Sequence, residues 1–364
     1  MKKILRSGYT TGACAAAAAK GAAEMLVRQA SVSQVSIELP TGEVASFQLL
    51  GQKFSVDSAT CFVIKDAGDD PDVNNGAELY AEVTLTPTLS QGERGQSVLI
   101  SGGTGVGTVT KPGLAVPPGQ WAINPVPRRM IEQAINDVLT PYSSPLTLQV
   151  VISIPDGELR AKKTLNARLG IIGGLSILGT TGIVRPISAK AWTDTIDAAL
   201  DVARACGCEN VVLSTGRTSE LVAQQHLASL PEEAYIMMGD HVAYALQACA
   251  RRGFMHPVIA CQFAKLLKIA CGHPNTHAAA SELDLATLRG WAEEAGLAPE
   301  IITVITRANT AREIALASGF DAGLMRLVTG RAERAAATHA FGLAARFLLC
   351  DYGGHVVASD VEAL

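Results

Sequence analysis

The chain of 364 residues is poor in aromatic side chains and has no excess of positive charge. Phe, Trp and Tyr make up 5% of the residues, so the core must rest on aliphatic and alanine packing, within a hydrophobic content of 48%. Thirty Lys and Arg face 34 Asp and Glu, which gives 30 − 34 = −4. This balance argues against a general nucleic-acid-binding protein, which would normally show a basic excess. It also argues against an anionic membrane surface as partner.

The chain also lacks a disulfide framework and a membrane-spanning run. The most apolar stretch, residues 169–184, is shorter than the about 20 residues that a transmembrane helix needs, and glycines interrupt it. A polar break at residues 7–12 separates the basic N-terminus from an alanine run, unlike a secretory signal. We therefore expect a cytoplasmic protein whose scattered cysteines are mostly buried thiols. The eight cysteines stand at positions 14, 61, 206, 208, 249, 261, 271 and 350.

What is present predicts two domains of different architecture. Residues 1–157 have the mixed pattern of an α+β domain, and residues 158–364 alternate apolar strands with helices, as a Rossmann-like domain does. We expect the second domain to be a three-layer α/β structure with a largely parallel sheet. The boundary is expected in the polar, turn-rich stretch at 155–163.

The elements follow from hydrophobic periodicity and turn signals. In the first domain, helices are predicted at 10–30 and 127–139, a strand at 146–155, and short β-type runs between 35 and 100. In the second domain, strands are predicted at 210–216, 234–239 and 256–261, and helices at 188–205, 219–227, 241–253, 262–272, 310–318 and 330–347. Residues 300–306 fit a short helical or an extended element.

A glycine-rich apolar run at residues 164–186 is the most unusual part of the sequence. It carries glycines at 170, 173, 174, 179 and 182, with Arg168 and Arg185 near its ends. Glycine in an apolar segment costs backbone entropy and adds no packing, so its repeated use indicates tight turns or close approach of another group. We interpret the run as a surface that contacts a ligand.

A second glycine-rich loop follows a predicted strand at residues 101–107. Gly102, Gly103, Gly105 and Gly107 resemble a dinucleotide-binding loop only loosely, because the last glycine of the G-x-G-x-x-G pattern is missing. A hairpin rich in turns is one interpretation. The favoured one is a loop that presents backbone N–H groups to an anion, with Lys111, Arg128 and Arg129 nearby in sequence.

Two polar segments of the first domain are candidates for chemistry. Asp66, Asp69, Asp70 and Asp72 place four carboxylates within seven residues, without the spacing of a calcium loop. They form either a solvated turn or a site in which crowding raises one pKa, so that Asp66 or Asp69 accepts a proton or holds a ribose.

The second of these segments is a proline-bounded approach to a helix. Asn124 leads to Arg128 and Arg129, which oppose the dipole of the helix that begins there. The arginines form either a surface pair without a role or a clamp for ligand carboxylates.

The second domain has its own turns after its predicted strands. Ser214, Gly216 and Arg217 follow one strand, and Gly239 and Asp240 follow the next. Parallel sheets bind ligands at the carboxyl ends of their strands, although either turn could simply cap a helix. Residues 271–277, with Cys271, His273 and His277, resemble a metal cluster only weakly. Buried thiols and a histidine at a helix start are favoured there over a metal.

The motifs together resemble one family nearly from end to end. RSGYTTGACAAAAAKGA, VIKDAGDDPDV, ISGGTGVGTVTKPGL, AINPVPRRMI, LNARLGIIGGLSILGTTGIVRPISAKA, STGRTSE and MGDHVAYAL occur in this order. They closely resemble the cobalt-precorrin-5B carbon-1 methyltransferase family of anaerobic cobalamin biosynthesis. The chain departs from that pattern at Gln120-Trp121, where Glu-Pro is expected, at Ala167, where proline is usual, and at His241, where an aromatic is usual.

The resemblance implies S-adenosylmethionine as methyl donor and cobalt-precorrin-5B, a cobalt-containing tetrapyrrole, as acceptor, giving cobalt-precorrin-6A. The basic residues near the glycine loops suit the acetate and propionate groups of such a ring. Candidate substrate-binding residues are Lys111, Asn124, Arg128, Arg129, Asn166, Arg168, Gly173, Gly174, Thr180, Thr181 and Arg185. The donor is expected at Gly102, Gly103, Gly105 and Gly107 or, preferably, at Ser214, Gly216, Arg217, Gly239 and Asp240.

Two other functions remain open at this point. A nicotinamide-dependent oxidoreductase would share the α/β second domain, and a non-catalytic carrier of a tetrapyrrole or of cobalt would share the basic surface. Asp66, Asp69 or Asp240 could accept a proton or hold the ribose of the donor, but the sequence compels none of them as a catalytic base. It also leaves the oligomeric state open, a homo-oligomer included.

Overall fold

The computed structural model describes residues 5–86, 97–140 and 147–361, and the chain divides into two compact units, Met1–Ser188 and Ala189–Leu364. The described helices of the first unit are α1 (Thr11–Arg28), α2 (Pro125–Leu139) and α3 (Gly157–Ala161). Its strands are β1 (Gly8–Tyr9), β2 (Gln34–Glu38), β3 (Val44–Gln48), β4 (Leu50–Phe54), β5 (Ser58–Ile64), β6 (Glu78–Thr86), β7 (Ser97–Gly102), β8 (Thr108–Val109), β9 (Thr147–Ser153), β10 (Ile171–Ile172) and β11 (Ile183–Val184). Leu146, where a predicted strand begins, and residues 87–96 of the predicted β-type region lie outside the described residues.

Helix α1 begins at a cap that the sequence predicts. The Thr10 hydroxyl accepts a hydrogen bond from the Ala13 N–H at 3.2 Å, which satisfies one of the free donors of the first turn. Every alanine from Ala13 to Ala19 is fully buried, because small side chains allow the helix to lie close to strands β5 and β6 and to α2. The low aromatic content is thus matched by a helix that packs through alanine.

The main sheet of the first unit has the order β4-β5-β6-β9-β7. Its pairs are antiparallel except that β7 and β9 are parallel. Helix α2 lies between these two strands in the chain and provides the crossover that a parallel pair requires. The predicted α+β class is therefore confirmed, with one parallel pair added.

The second unit contains the remaining elements. Its described helices are α4 (Ala189–Ala205), α5 (Arg217–His226), α6 (Val242–Arg251), α7 (Phe263–Ala270), α8 (Leu285–Glu294), α9 (Pro299–Arg307), α10 (Ala311–Ala317) and α11 (Ala322–His339), with a short 3-10 helix at Glu232–Ala234. Its strands are β12 (Val212–Ser214), β13 (Tyr235–Met237), β14 (Val258–Gln262), β15 (Arg346–Cys350) and β16 (Val356–Ser359).

These strands form one sheet in the order β13-β12-β14-β15-β16, parallel except for the edge strand β16. Alternate residues of each strand enter two different cores. Val212 packs with Val222 of α5 on one face, whereas Leu213 packs with residues of α4, α6, α7 and α11 on the other. The predicted three-layer α/β architecture with a largely parallel sheet is confirmed.

One predicted helix is misplaced. The sequence predicts a helix at 330–347, but α11 ends at His339 and β15 begins at Arg346. Gly342, with a φ of 79°, makes the turn between them, and Phe347–Cys350 is buried on both faces of the sheet. The prediction also missed α8 and β16, and the ambiguous segment near residue 300 is the helix α9.

The division into units falls later in the chain than the predicted boundary after residue 157. Residues 158–188 belong with the first unit because β10 pairs with β8 and β11 pairs with β1. The glycine-rich run is therefore part of the first unit. No helix among the described residues is long and apolar enough to span a bilayer.

Candidate functional site

The glycine-rich run lies among three other motif segments of the first unit. Strand β11 pairs with β1, and the Thr11 hydroxyl accepts a hydrogen bond from the Leu178 N–H at 2.9 Å. Leu175 pairs with Val106 of the glycine loop, and the Asn124 N–H donates to the Ile177 carbonyl at 3.0 Å. Segments that are far apart in sequence therefore form one structure around residues 166–184.

The acidic turn attaches to the N-terminal segment in the same unit. The Tyr9 N–H donates to the Asp66 carbonyl at 2.7 Å, and the Asp69 carboxylate accepts from the Arg6 N–H at 2.9 Å. The Arg6 guanidinium forms a two-pronged ion pair with the Asp66 carboxylate, one contact of which measures 2.8 Å. The turn is thus fastened by its backbone and by its carboxylates.

For Asp66, this arrangement has the opposite effect to the predicted rise in pKa through crowding. Hydrogen bonds from Arg6 and from the Gly68 N–H lower the pKa of Asp66. Asp70 accepts from the Ile187 N–H at 2.9 Å, and Asp72 pairs with Lys65, whose side chain is 2% exposed, at 2.6 Å. Each carboxylate therefore has its own partner, and a carboxylate with a lowered pKa is a weaker proton acceptor.

The glycine loop at residues 101–107 packs against its own chain. A Cβ at Gly105 would lie 1.8 Å from the Ile154 carbonyl oxygen, and the residue has a φ of +72°. The other three glycines of the loop are Gly102, Gly103 and Gly107. A Cβ added at each would lie within 2.5 Å of a side-chain atom, of Trp121, Ser153 and Ile171 respectively. The Gly103 and Gly107 N–H groups donate to the Ile152 and Leu175 carbonyls, both at 2.8 Å. The predicted presentation of N–H groups to an anion therefore does not hold for these two.

The glycines of the run itself divide in the same way. A Cβ at Gly174 would lie 2.2 Å from the Gly105 carbonyl oxygen, and those at 170, 179 and 182 would meet Lys111, Thr10 and Leu39. Gly173 differs, because it has a φ of +84° and nothing within 4 Å of a constructed Cβ. Close approach in this run is mainly by the protein itself.

The start of α2 carries side chains without a capping role. Asn124 is the N-cap residue, but its side chain makes no cap hydrogen bond. Arg128 donates to the Ile100 carbonyl at 3.3 Å, and Arg129 is exposed. Asparagine is among the best N-cap residues. It is therefore notable that the Asn124 amide, close in sequence to Arg128 and Arg129, does not cap the first turn.

The remaining predicted substrate residues differ in exposure. Asn166 is buried and donates to the Gly174 carbonyl at 3.2 Å, and the Thr181 hydroxyl bonds the backbone of Ile183. Lys111 donates to the Arg168 carbonyl at 3.3 Å. Thr180 and Arg185 are exposed. Asn166 therefore shapes the run, whereas the basic side chains lie at or near the surface.

An exposed apolar ladder in the same unit was missed by the sequence reasoning. Ile172 lies opposite Thr108, and Thr108 lies opposite Trp121, so the three side chains share one face. Trp121 is 37% exposed and Ile172 is 52% exposed, while Ile171 and Val109 fill a small core on the other face. In the sequence, the one signal for this ladder is that Trp121 departs from the family pattern.

In the second unit, the turn after β12 contains an unpartnered hydroxyl. Ser214 is 0% exposed, and its Oγ has no hydrogen-bond partner among the described residues. Its carbonyl accepts from the Met238 and Gly239 N–H groups, at 3.0 and 3.2 Å. Arg217 pairs with the buried carboxylate of Glu220 at 2.5 Å. The predicted residues Ser214, Gly216 and Arg217 therefore lie together at the carboxyl end of β12.

The turn after β13 is fully engaged by protein groups. The Asp240 carboxylate accepts from Lys265 and from the Thr276 hydroxyl, the latter at 2.7 Å. Burial acts to raise the pKa of Asp240, but these hydrogen bonds outweigh burial and lower it. Trp192 covers Gly239 and donates its indole N–H to the Met238 carbonyl at 3.0 Å. Asp240 thus holds the loop that carries Thr276.

A second orphaned hydroxyl lies after β15, and sequence reasoning did not identify it. The Tyr352 OH is buried without a hydrogen-bond partner in the described part of the chain, and the Arg312 guanidinium lies over its ring at 4.5 Å. Burial raises the pKa of Tyr352. Within residues 5–86, 97–140 and 147–361, no three His, Cys, Asp or Glu side chains are grouped as metal ligands.

Several known proteins are similar to this chain. The crystal structure of a cobalamin biosynthesis protein (cbiD) from Archaeoglobus fulgidus is 27% identical, with a TM-score of 0.39, and the match covers 72% of this chain and 78% of that one. Two relatives named cobalt-precorrin-5B C(1)-methyltransferase are each 59% identical. The one from Pelobacter propionicus matches over 99% of this chain and 97% of its own. The one from Geobacter sulfurreducens matches over 97% of this chain and 98% of its own.

Family models match both ends of the chain. The model described as CbiD matches residues 1–186, and the model described as CbiD, C-terminal domain, matches residues 275–361. The first covers the whole motif assembly of the first unit, from the N-terminal segment to the glycine-rich run. With relatives of more than half identity over nearly the full length, the chain belongs to the CbiD family.

Proposed function

We propose that this protein transfers a methyl group from S-adenosylmethionine to carbon 1 of cobalt-precorrin-5B, giving cobalt-precorrin-6A. The observation that carries the proposal is the relatives of that name, 59% identical over 97% or more of this chain. A methyltransferase name implies a methyl donor, and the positively charged sulfonium would supply an electrophilic methyl carbon. The cobalt belongs to the substrate.

The chemistry asks the protein mainly to position two carbon atoms in line and to keep water away from them. A strong general base is not the first requirement of such a displacement. The Arg6–Asp66 ion pair and its lowered pKa support a positioning role for Asp66, and the Asp69 contact with the Arg6 backbone supports the same role for Asp69. We propose that both carboxylates hold the N-terminal segment in place.

The acceptor is proposed to bind to the first unit. Arg128, Arg129 and Arg185 offer planar cations at or near the surface, which suit ring carboxylates through forked hydrogen bonds. The ladder of Trp121, Thr108 and Ile172 offers a mainly apolar face for the flat side of the macrocycle. The arginines would thus bind the acetates and propionates at the rim of the ring. The ladder would contact the apolar atoms of its face.

The donor is proposed to bind at the carboxyl edge of the parallel sheet in the second unit. The glycine loop fits a donor less well, since the protein itself fills the space beside Gly102, Gly103, Gly105 and Gly107. The turn after β12 fits better, because the buried Ser214 hydroxyl has no partner in the described part of the chain and Gly216 borders open space. A buried polar group without a partner is costly, which favours a ligand atom there.

An anaerobic assay tests the proposal. The purified full chain is mixed with cobalt-precorrin-5B and S-adenosylmethionine, and the product is analysed by mass spectrometry and by NMR at carbon 1. We expect a mass increase of one methyl group, dependent on the donor. An unchanged substrate mass overturns the proposal. Tetrapyrrole binding without donor binding would favour a carrier, and nicotinamide-dependent turnover would favour an oxidoreductase.

A further inference from the structure

The order of strands in the second unit creates a crevice at β12 and β14. The chain places β13 on one side of β12 and then returns to place β14 on the other. Helix α5 follows β12 on one face of the sheet, and α7 follows β14 on the opposite face. In open α/β sheets, ligands bind outside the carboxyl ends of the strands where the order reverses in this way.

Among the described residues, the N-cap side chains of the helices that begin at this crevice accept no bond from the first turn, as is also the case in α9. In α5 the Ser219 Oγ accepts from the Gly216 N–H at 3.2 Å, which leaves the next N–H groups of the turn open. Asp284, Thr310 and Asp321 each accept a backbone hydrogen bond at the start of α8, α10 and α11. Gly216, the N-cap of α5, has no side chain to do so, and Gln262 makes no cap bond at the start of α7. Helix α6 is different, because the Pro274 carbonyl accepts from its Ala243 N–H at 3.0 Å.

The N-terminus of α5 has unused donors. Among the described residues, no acceptor is found for the N–H groups of Arg217 and Thr218 in the first turn. Glu220 carries the carboxylate of that turn, and the ion pair with Arg217 neutralises its negative charge. The partial positive charge of the helix end therefore stays available to an anion.

Ser214 supplies the second, independent sign of a ligand. Val212 and Ser214 are two residues apart on a strand, so their side chains point to the same face, and Val212 packs against Val222 and Ala223 of α5. The Ser214 Oγ thus lies beneath α5, fully buried and without a partner in the described residues. Gly216 beside it has nothing within 4 Å of a constructed Cβ.

We propose that the N-terminus of α5 and the Ser214 hydroxyl bind the carboxylate of the amino-acid part of the methyl donor. The assignment rests on the proposed function and names the end of the donor that enters the crevice. The Arg217 and Thr218 N–H groups and the Ser214 O–H donate to the carboxylate. These N–H and O–H groups have no acceptor among the residues that the structure describes. A carboxylate is the anion that S-adenosylmethionine carries.

Calorimetric titration of the full chain with S-adenosylhomocysteine, which keeps the carboxylate, tests Ser214. We expect Ser214→Ala to weaken binding roughly tenfold, the usual loss for a hydrogen bond to a charged group. The variant should fold normally, since it removes an unpartnered hydroxyl. Ser318→Ala, which alters the serine that follows α10, is the control with unchanged affinity. Equal affinity in Ser214→Ala and the wild type overturns the role of this hydroxyl.

Two substitutions at the helix end test the backbone donors. Arg217→Pro and Arg217→Ala both remove the guanidinium, but only proline removes the N–H, and proline is well tolerated at the first helical position. We expect the proline variant to bind roughly tenfold more weakly than the alanine variant.

A third substitution tests the space beside these donors. Gly216→Val fits the open space and an extended φ of −175°, so it should fold while blocking the ligand. Equal binding by the proline and alanine variants, or full binding by Gly216→Val, contradicts the assignment.

A probe without the amino-acid part separates the carboxylate from the rest of the donor. 5′-Methylthioadenosine should bind the wild type and Ser214→Ala equally, because it brings no carboxylate. An equal loss for both probes in the variant would overturn the carboxylate assignment. The anaerobic assay distinguishes the two levels of failure: product formation with unaltered donor affinity in every variant refutes this site alone, whereas a wild type that binds neither probe and forms no product refutes the proposed function.

Discussion

Gly105 of the first unit and Gly216 of the second have opposite surroundings, although both were candidates for ligand contact. In the first unit, glycines of the loop and of the run make room for other parts of the chain, as Gly105 does for the Ile154 carbonyl. In the second unit, Gly216 borders open space beside the Ser214 hydroxyl, which has no partner among the described residues. A glycine-rich motif therefore indicates close approach without indicating what approaches. Unsatisfied polar groups are the more direct guide to a ligand.

The largest expected effect tests this contrast at two glycines. Gly105→Ala should destabilise the protein by about 4 kcal/mol, because a Cβ would collide with backbone at a positive φ. Gly216→Ala should change stability by less than about 1 kcal/mol, since its extended backbone accepts any residue. Thermal and urea unfolding of both variants measure the difference. Similar losses of stability in the two variants would remove the contrast between the units.

The sequence predicts the architecture well because both domains have strong periodic patterns. The alanine-rich helix, the antiparallel runs and the βαβ alternation all appear where hydrophobic spacing places them. Besides the missed α8 and β16, the main error is at Phe347–Cys350, a short run that is buried on both faces and so lacks the alternation of a half-buried strand. Such a run cannot be distinguished from a buried helix segment by periodicity alone.

The candidate site is less predictable, for a physical reason. Whether Ser214 has a partner, or whether Asp66 meets Arg6, depends on which segments the fold brings together. Residue types suggested both positions, but the sequence could not show that one hydroxyl is orphaned and that one carboxylate is paired. Tyr352 and Ile172 gave no local signal, because their importance comes only from their neighbours in space.

Asp240 is the exception within the second unit, since its turn is satisfied by protein. Asp240→Asn should cost about 2 kcal/mol at neutral pH, because it weakens hydrogen bonds to Lys265 and Thr276. The pKa of Asp240 is lower in the folded chain, so its contribution is complete above the unfolded value of about 3.9 and is lost as the pH falls through the folded value.

The pH dependence of that variant sharpens the comparison. Urea unfolding from pH 7 to pH 2 should show a smaller acid-induced loss of stability in Asp240→Asn than in the wild type. Glu209→Gln, at an exposed carboxylate of the second unit, is the control for general acid effects. An identical pH profile for Asp240→Asn and the wild type would show that the loop is held by other contacts.

The arginines of the first unit should matter for the acceptor and not for the fold. Arg128→Ala should weaken acceptor binding about tenfold, as expected for loss of a charge-assisted hydrogen bond, and should leave binding of S-adenosylhomocysteine unchanged. Equilibrium titration of each ligand measures the two effects separately. Arg307→Ala, an exposed arginine at the end of α9, is the control. Equal losses for donor and acceptor would contradict the assignment of the two ligands to different units.

The smallest expected effect concerns the apolar ladder. Trp121→Phe keeps an aromatic ring and should change the KM for the acceptor by less than about threefold, whereas Trp121→Ala removes the ring and should raise it by about tenfold. Neither variant should change kcat strongly, because the ring face is proposed to contact substrate and transition state alike. Phe341→Ala, at a fully exposed phenylalanine of the second unit, is the control for loss of surface aromatic area. If Trp121→Ala leaves KM unchanged, the exposed indole serves only to cover Gly102, and the first unit would contact its substrate through charge alone.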